Sequence, residues 1–218
     1  MRDDIVLISD ARVAAVPVEE SGEALIDVRG RLLVDGRLAD AAGAYAHLRE
    51  GLFTRLLEAE RALPEGYRLL VVEGYRPPSL QRRYFEEYKD QLRGTFPEMS
   101  PDELHVAASR YVSPIEVAPH TAGAAVDLTL CAYDGSGHTE LDMGTRVNAN
   151  PEESDGACYT GAANISAEAR ANRKILGAAL EEAGLVNYPT EWWHWSYGDR
   201  YWAMTSGAPA AHYGPREL

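Results

Sequence analysis

Hydrophobic and polar positions divide the chain into strand-like and helix-like stretches. Residues 5–8, 13–18 and 25–34 read as short strands or extended pieces, broken at Pro17, Gly22 and Gly30. Over 39–63 the apolar residues Tyr45, Leu48, Leu52 and Leu56 fall three or four apart, which predicts one long amphipathic helix. Glu50, Arg55, Glu58 and Arg61 take its wet side, and Pro64-Glu65-Gly66 ends it. Residues 67–72 are rich in β-favouring side chains and predict a buried strand, cut off at once by Glu73-Gly74-Tyr75-Arg76-Pro77-Pro78. Arg76 therefore stands at a strand end, where function is often mounted. Helical spacing resumes over 79–93, with Leu80, Tyr84, Tyr88 and Leu92 in line, and Ser100-Pro101-Asp102-Glu103 is a capping box opening a helix toward Tyr111.

Residues 112–119 are irregular, and 124–130 read as a strand with Asp127 set among apolar neighbours. The glycine-bearing stretch 131–165 lacks periodicity and reads as a long coil, functional or mobile as such loops usually are. Ser166 caps a helix running through Glu182, which Gly184 ends. Residues 191–197 form an aromatic strand stopped by Gly198. Helices and strands alternate without a regular βαβ repeat, which predicts an α+β fold with a central, mainly antiparallel sheet flanked by helices. With no linker or internal repeat, one compact domain over residues 1–218 is expected.

Composition narrows the partners. A net charge of −13 makes nucleic acid and anionic membrane poor candidates. No stretch approaches the roughly twenty apolar residues of a membrane helix. The acidic start Met1-Arg2-Asp3-Asp4 does not fit a signal peptide, so a cytoplasmic protein is expected. Cys131 and Cys158 are too few for a disulfide framework, although one bridge between them stays open. Oligomeric state is not legible.

Chemistry concentrates in two places. Glu191-Trp192-Trp193-His194-Trp195 sets a carboxylate and an imidazole three residues apart among large rings, which are read as walls that exclude water. His120 lies seven residues before Asp127, whose carboxylate in an apolar strand is costly unless paired or bound to a metal. The other histidines read as bystanders: His47 and His105 within helices, His138 in a turn, His212 in the tail. Two neutral imidazoles and a carboxylate suit Zn²⁺ with a fourth position open to water. A metal-free hydrogen-bonded pair of His120 and Asp127 is the alternative. Glu191 could then move protons, or merely hold a salt bridge with Arg76 or Arg200. Arg76 could stabilise an oxyanion, or serve as a structural cation.

Gly74-Tyr75-Arg76-Pro77, then His120-x-x-Gly123-x-Ala125-x-Asp127-Leu128-Thr129-Leu130, then Glu191-Trp192-Trp193-His194, in this order, resemble the zinc D-alanyl-D-alanine dipeptidases associated with vancomycin resistance. The likeness runs over about residues 25–203 and takes in Asp142-Met143-Gly144-Thr145. It implies a compact α+β fold shared with D,D-carboxypeptidases and the hedgehog signalling domain. It also implies one Zn²⁺ on His120, Asp127 and His194, with Glu191 as general base and acid and Arg76 on the substrate carbonyl. Substrate contacts are expected from Asn148, Tyr75 and Trp193. The implied substrate is a small D-amino-acid peptide, D-Ala-D-Ala first. Related D,D- or L,D-carboxypeptidase or peptide-tailoring activity is the alternative, and a non-catalytic zinc-stabilised binding module a third reading. Three departures concern recognition: Ala118 replaces a familiar Ser, Asn148 replaces the Asp that meets the substrate amine, and the N-terminal region lacks the family's usual aromatic segment.

Overall fold

The computed structural model describes residues 5–109 and 112–218. Its centre is a six-stranded sheet in the order β2 (Leu33–Val34), β4 (Tyr67–Glu73), β5 (Ala125–Tyr133), β8 (His194–Ser196), β7 (Val186–Asn187), with β6 (His138–Glu140) pairing the far end of β5. Only the β2–β4 contact is parallel; every other pair in this sheet is antiparallel. A separate antiparallel pair joins β1 (Leu25–Asp27) to β3 (His47–Arg49). This is the mainly antiparallel α+β arrangement that the sequence predicts.

Helix α2 (Glu50–Ala62) turns Leu52, Phe53, Leu56 and Ala59 inward, the spacing that gives a helix one apolar face. It packs with α5 (Ala167–Glu182), whose Leu176, Ala179 and Leu180 are buried. Both meet Leu69 and Val71 of β4 and Val126, Leu128 and Leu130 of β5 in one core with Trp192, Trp193 and Trp195. Strand β5 is buried on both faces as far as Cys131, with Val126, Leu128 and Leu130 on one face and the polar Asp127 and Thr129 on the other. Truncating Leu128, with no exposed surface, should cost roughly 2–5 kcal/mol.

Several boundaries differ from the sequence pattern. The expected helix over 39–63 begins only at Glu50. Tyr45 sits in a 3₁₀ turn, Ala44–Ala46, and His47 and Leu48 are in β3 rather than a helix. The cause is main-chain pairing: Gly74 donates to the Tyr45 carbonyl at 2.6 Å and Tyr75 to the His47 carbonyl at 2.7 Å. Residues 5–8 form no strand. Over 13–18 the chain completes α1 (Ala11–Ala14), capped by Asp10, before Val18 bridges Ala211. The stretch 25–34 is two strands separated by a turn at Gly30, where φ is 79°.

Helices α3 (Pro78–Thr95) and α4 (Pro101–Ala108) pack on each other, and α4 carries the expected capping box. The predicted end of α4 at Tyr111 lies outside the described residues. The stretch 131–165 is not all coil, because β5 runs on to Tyr133 and folds back through β6. The aromatic strand is shorter than predicted, with 191–193 in a turn, and α6 (Arg200–Ser206) follows it. Cys131 and Cys158 are buried free thiols. Among the described residues, no helix is long and apolar enough to cross a membrane.

Candidate active site

Three adjacent strands bring the chemistry together. Asp127 on β5 stands opposite His194 on β8 and, on its other side, opposite Glu73 on β4. A bulge between Val71 and Glu73 shifts the β4 register there, a device that re-aims a strand end. Directly paired residues share a face, so Asp127 Oδ1 meets His194 Nδ1 at 3.0 Å.

His120 arrives from a 3₁₀ turn, Pro119–Ala122, closed by Gly123 at φ 64°. Its Nδ1 is 2.7 Å from the Gly74 carbonyl. A carbonyl can only accept, so Nδ1 carries the hydrogen and Nε2 presents its lone pair. That Nε2 lies 3.2 Å from His194 Nδ1 and 3.4 Å from Asp127 Oδ1.

Three possible ligand atoms thus face one another across 3.0, 3.2 and 3.4 Å, on side chains that are nearly all buried. When the His194 hydrogen sits on Nε2 all three are acceptors, and a cation between them relieves their repulsion. A tetrahedral ion with bonds near 2.0–2.1 Å needs ligand atoms about 3.3 Å apart, so this donor set fits a divalent metal. The local electrostatics show that this spot favours positive charge. Burial alone would raise the Asp127 pKa, but His120 and His194 drag it far below the ordinary range. Burial opposes a charged His120, yet the Asp127 carboxylate outweighs it and shifts that imidazole upward.

Glu191 follows a turn in which its N–H donates to the Tyr188 carbonyl, and Asn187 Nδ2 donates to the Glu191 and His194 carbonyls. Its carboxylate comes within 3.9 Å of His194 Nδ1. Burial pushes its pKa up to about 7, against the pull of His194 and Arg76 and with the push of Asp127. Such a carboxyl can both take and give a proton near neutrality.

Arg76 is held from behind. Its Nε and one terminal nitrogen donate to Glu73 at 2.7 and 2.5 Å, and the other terminal nitrogen donates to Gln81 Oε1 at 2.8 Å. Burial disfavours its charge, but Glu73 reverses that and keeps it cationic. One N–H on each terminal nitrogen has no partner among the described residues, and Arg76 lines the cleft.

Arg76, His120, Asp127, Asn148, Glu191 and His194 all line one cleft of about 270 Å³. Tyr75 and Trp193, expected as substrate contacts, lie outside its lining. The Tyr75 hydroxyl donates to the Arg216 carbonyl at 2.6 Å, and Trp193 packs in the core. The three tryptophans are core filler rather than cleft walls. Sequence reasoning missed Glu73, Gln81, Tyr84 and Tyr188. Only Glu73, three residues before Arg76 at a strand end, left a visible signal. A larger cavity of about 640 Å³, lined by residues such as Tyr159, Pro189 and Met204, gathers no such group of ligating side chains.

A D-ala-D-ala dipeptidase family model matches residues 39–208. The chain belongs to that family. This dipeptidase-family enzyme is 29% identical over 219 residues to a D-alanyl-D-alanine dipeptidase of Synechocystis sp. (strain ATCC 27184 / PCC 6803 / Kazusa), with 87% of each chain covered. It is 31% identical over 150 residues to a D-alanyl-D-alanine dipeptidase of Enterococcus faecium, covering 66% of this chain and 69% of that one. The solved LD-carboxypeptidase LdcB aligns with a TM-score of 0.50 at 18% identity, covering 85% of this chain and 72% of that one, a likeness of fold alone.

Proposed function

We propose that this dipeptidase-family enzyme hydrolyses a peptide bond in a small D-amino-acid-containing peptide, the D-Ala-D-Ala unit being first choice, with one Zn²⁺ on His120, Asp127 and His194. The observation that carries the reading is the buried triangle of possible ligand atoms with Glu191 beside it. When bound, zinc supplies a Lewis acid and a water of lowered pKa.

The protein's own groups do the rest. Glu191 accepts the proton of the attacking water and returns it to the departing amine, acting in turn as general base and general acid beside the ligand set. The two inward N–H groups of Arg76 hold the carbonyl oxygen as its charge grows. Glu73 and Gln81 fix that guanidinium so that it need not reorganise during the reaction. Metal analysis of the purified protein, with D-alanine release from D-Ala-D-Ala-terminated peptides before and after chelation, tests the reading. About one zinc per chain and chelator-sensitive release are expected; release that survives complete metal removal refutes it.

A further inference from the structure

The 3₁₀ turn that carries His120 is held from outside. A turn this short leaves most of its carbonyls without partners of its own. Three consecutive carbonyls, directly after His120, are each taken by a donor from another part of the chain. The Arg216 N–H donates to Thr121 at 3.0 Å, the Arg49 Nε to Ala122 at 2.8 Å, and the Arg49 main-chain N–H to Gly123 at 2.9 Å.

Arg49 is fully buried, so its other donors need partners inside the protein. Two segments supply them. Glu20 Oε1 accepts at 2.9 Å and the Glu23 carbonyl at 2.7 Å, while the stretch after α6 offers the Gly214 carbonyl at 3.2 Å. The same two segments are tied to each other. Glu20 accepts from the Gly214 N–H at 2.8 Å, and Glu23 accepts from the Tyr213 hydroxyl at 2.7 Å.

Arg216 also reaches the strand end that carries Arg76. Its carbonyl accepts the hydroxyl of buried Tyr75 at 2.6 Å. The main chain of one residue thus bonds Thr121, next to His120, and Tyr75, next to Arg76. Neither Arg216 nor Tyr75 lines the cleft. Glu20, Glu23 and residues 212–216 all lie outside the stretch 39–208 that the dipeptidase family model matches.

We propose, resting on the reading of His120 as a metal ligand and Arg76 as the carbonyl contact, that the main chain of Arg216 positions both. Its N–H fixes the turn that aims His120. Its carbonyl fixes Tyr75 and, through it, the neighbouring Arg76. Arg49, Glu20 and Glu23 keep the 212–216 segment in place. Arg216 and Tyr75 are positioning residues, acting through groups that they do not replace.

Three variants separate the two arms. Arg216→Pro removes the N–H, Arg216→Ala keeps it and removes the side chain, and Tyr75→Phe removes the hydroxyl but keeps the ring. Zinc affinity is measured by competition with a chromophoric chelator. Thermal unfolding, and kcat and KM on a D-Ala-D-Ala-terminated peptide, are measured on the same preparations. Arg216→Pro should bind zinc about tenfold more weakly than Arg216→Ala, which should stay within about twofold of wild type. Tyr75→Phe should lower kcat about tenfold, with KM and zinc affinity within about twofold of wild type. Equal zinc affinity in Arg216→Pro and Arg216→Ala, or an unchanged kcat in Tyr75→Phe, overturns this inference whatever the shift in Tm, and leaves the hydrolytic reading standing. If Arg216→Pro does not fold, Tyr75→Phe decides by the same criterion. A wild type that neither binds zinc nor cleaves the peptide overturns both.

Discussion

Arg76 and His120 are joined through their main chains: the Arg76 N–H donates to the His120 carbonyl at 3.1 Å. The bond is answered by His120 Nδ1, which donates to Gly74, two residues before Arg76. The end of β4 and the 3₁₀ turn therefore form one unit, and whatever moves Gly74 moves an expected ligand and an expected oxyanion contact together.

Gly74→Ala tests this coupling. A methyl group there would lie 2.5 Å from the His47 carbonyl oxygen, a main-chain atom that cannot swing aside. Overpacking of this kind costs roughly 1–3 kcal/mol. Metal content and turnover should fall together, measured on the same preparation. Retention of both would show that the unit tolerates displacement.

Arg173 should govern the segment that carries Asn148. Its guanidinium is buried with no ion pair among the described residues and donates to the carbonyls of Met143, Tyr159 and Ala157 at 2.7, 2.7 and 2.8 Å. Burial lowers its pKa to about 10, still charged at neutral pH. Arg173→Met strands three acceptors and should cost about 3 kcal/mol or more, lowering Tm by roughly 6–12 °C. Limited proteolysis should then cut within residues 144–157, and Arg173→Lys should fall between the two.

Asp199 predicts a pH dependence of stability. It caps α6 from a buried position, and burial raises its pKa from 3.8 to about 6. The folded state therefore holds this proton more tightly than the unfolded chain. Its ionisation costs nothing below about pH 4, and stability is lost as pH climbs to about 6, on the order of 2–3 kcal/mol in all. Denaturant unfolding of wild type and Asp199→Asn at pH 4 and pH 7 isolates the effect. The stability of wild type relative to the variant should drop across that interval; a constant difference would contradict it.

The sequence made the chemistry more legible than the folding of its surroundings. Asp127 inside an apolar strand, His194 beside Glu191 and Arg76 at a strand end are each costly placements, and such costs are visible residue by residue. Strands β4 and β5 and helix α5 were equally plain, because their patterns are long and well punctuated. The start of α2 was not. Tyr45 and Leu48 keep helical spacing, yet their stretch is fixed by main-chain bonds to Gly74 and Tyr75, which no periodicity reveals. The turn residues Asp134 to Gly137 and the Asp199 cap were readable signals for β6 and α6. Gln81 and Tyr188 enter the cleft only through tertiary packing, so nothing local in the sequence marks them.

The division of labour between His120, Asp127 and His194 on one side and Glu191 on the other is tested most directly by Glu191→Gln. The variant keeps shape and hydrogen-bonding capacity but cannot take the proton. Zinc per chain and turnover of a D-Ala-D-Ala-terminated peptide should be measured together for wild type and variant. The expected result is unchanged zinc with turnover reduced about 10²–10⁴-fold. Equal zinc with turnover within a few-fold of wild type would contradict the assignment of Glu191 as the proton-transfer group.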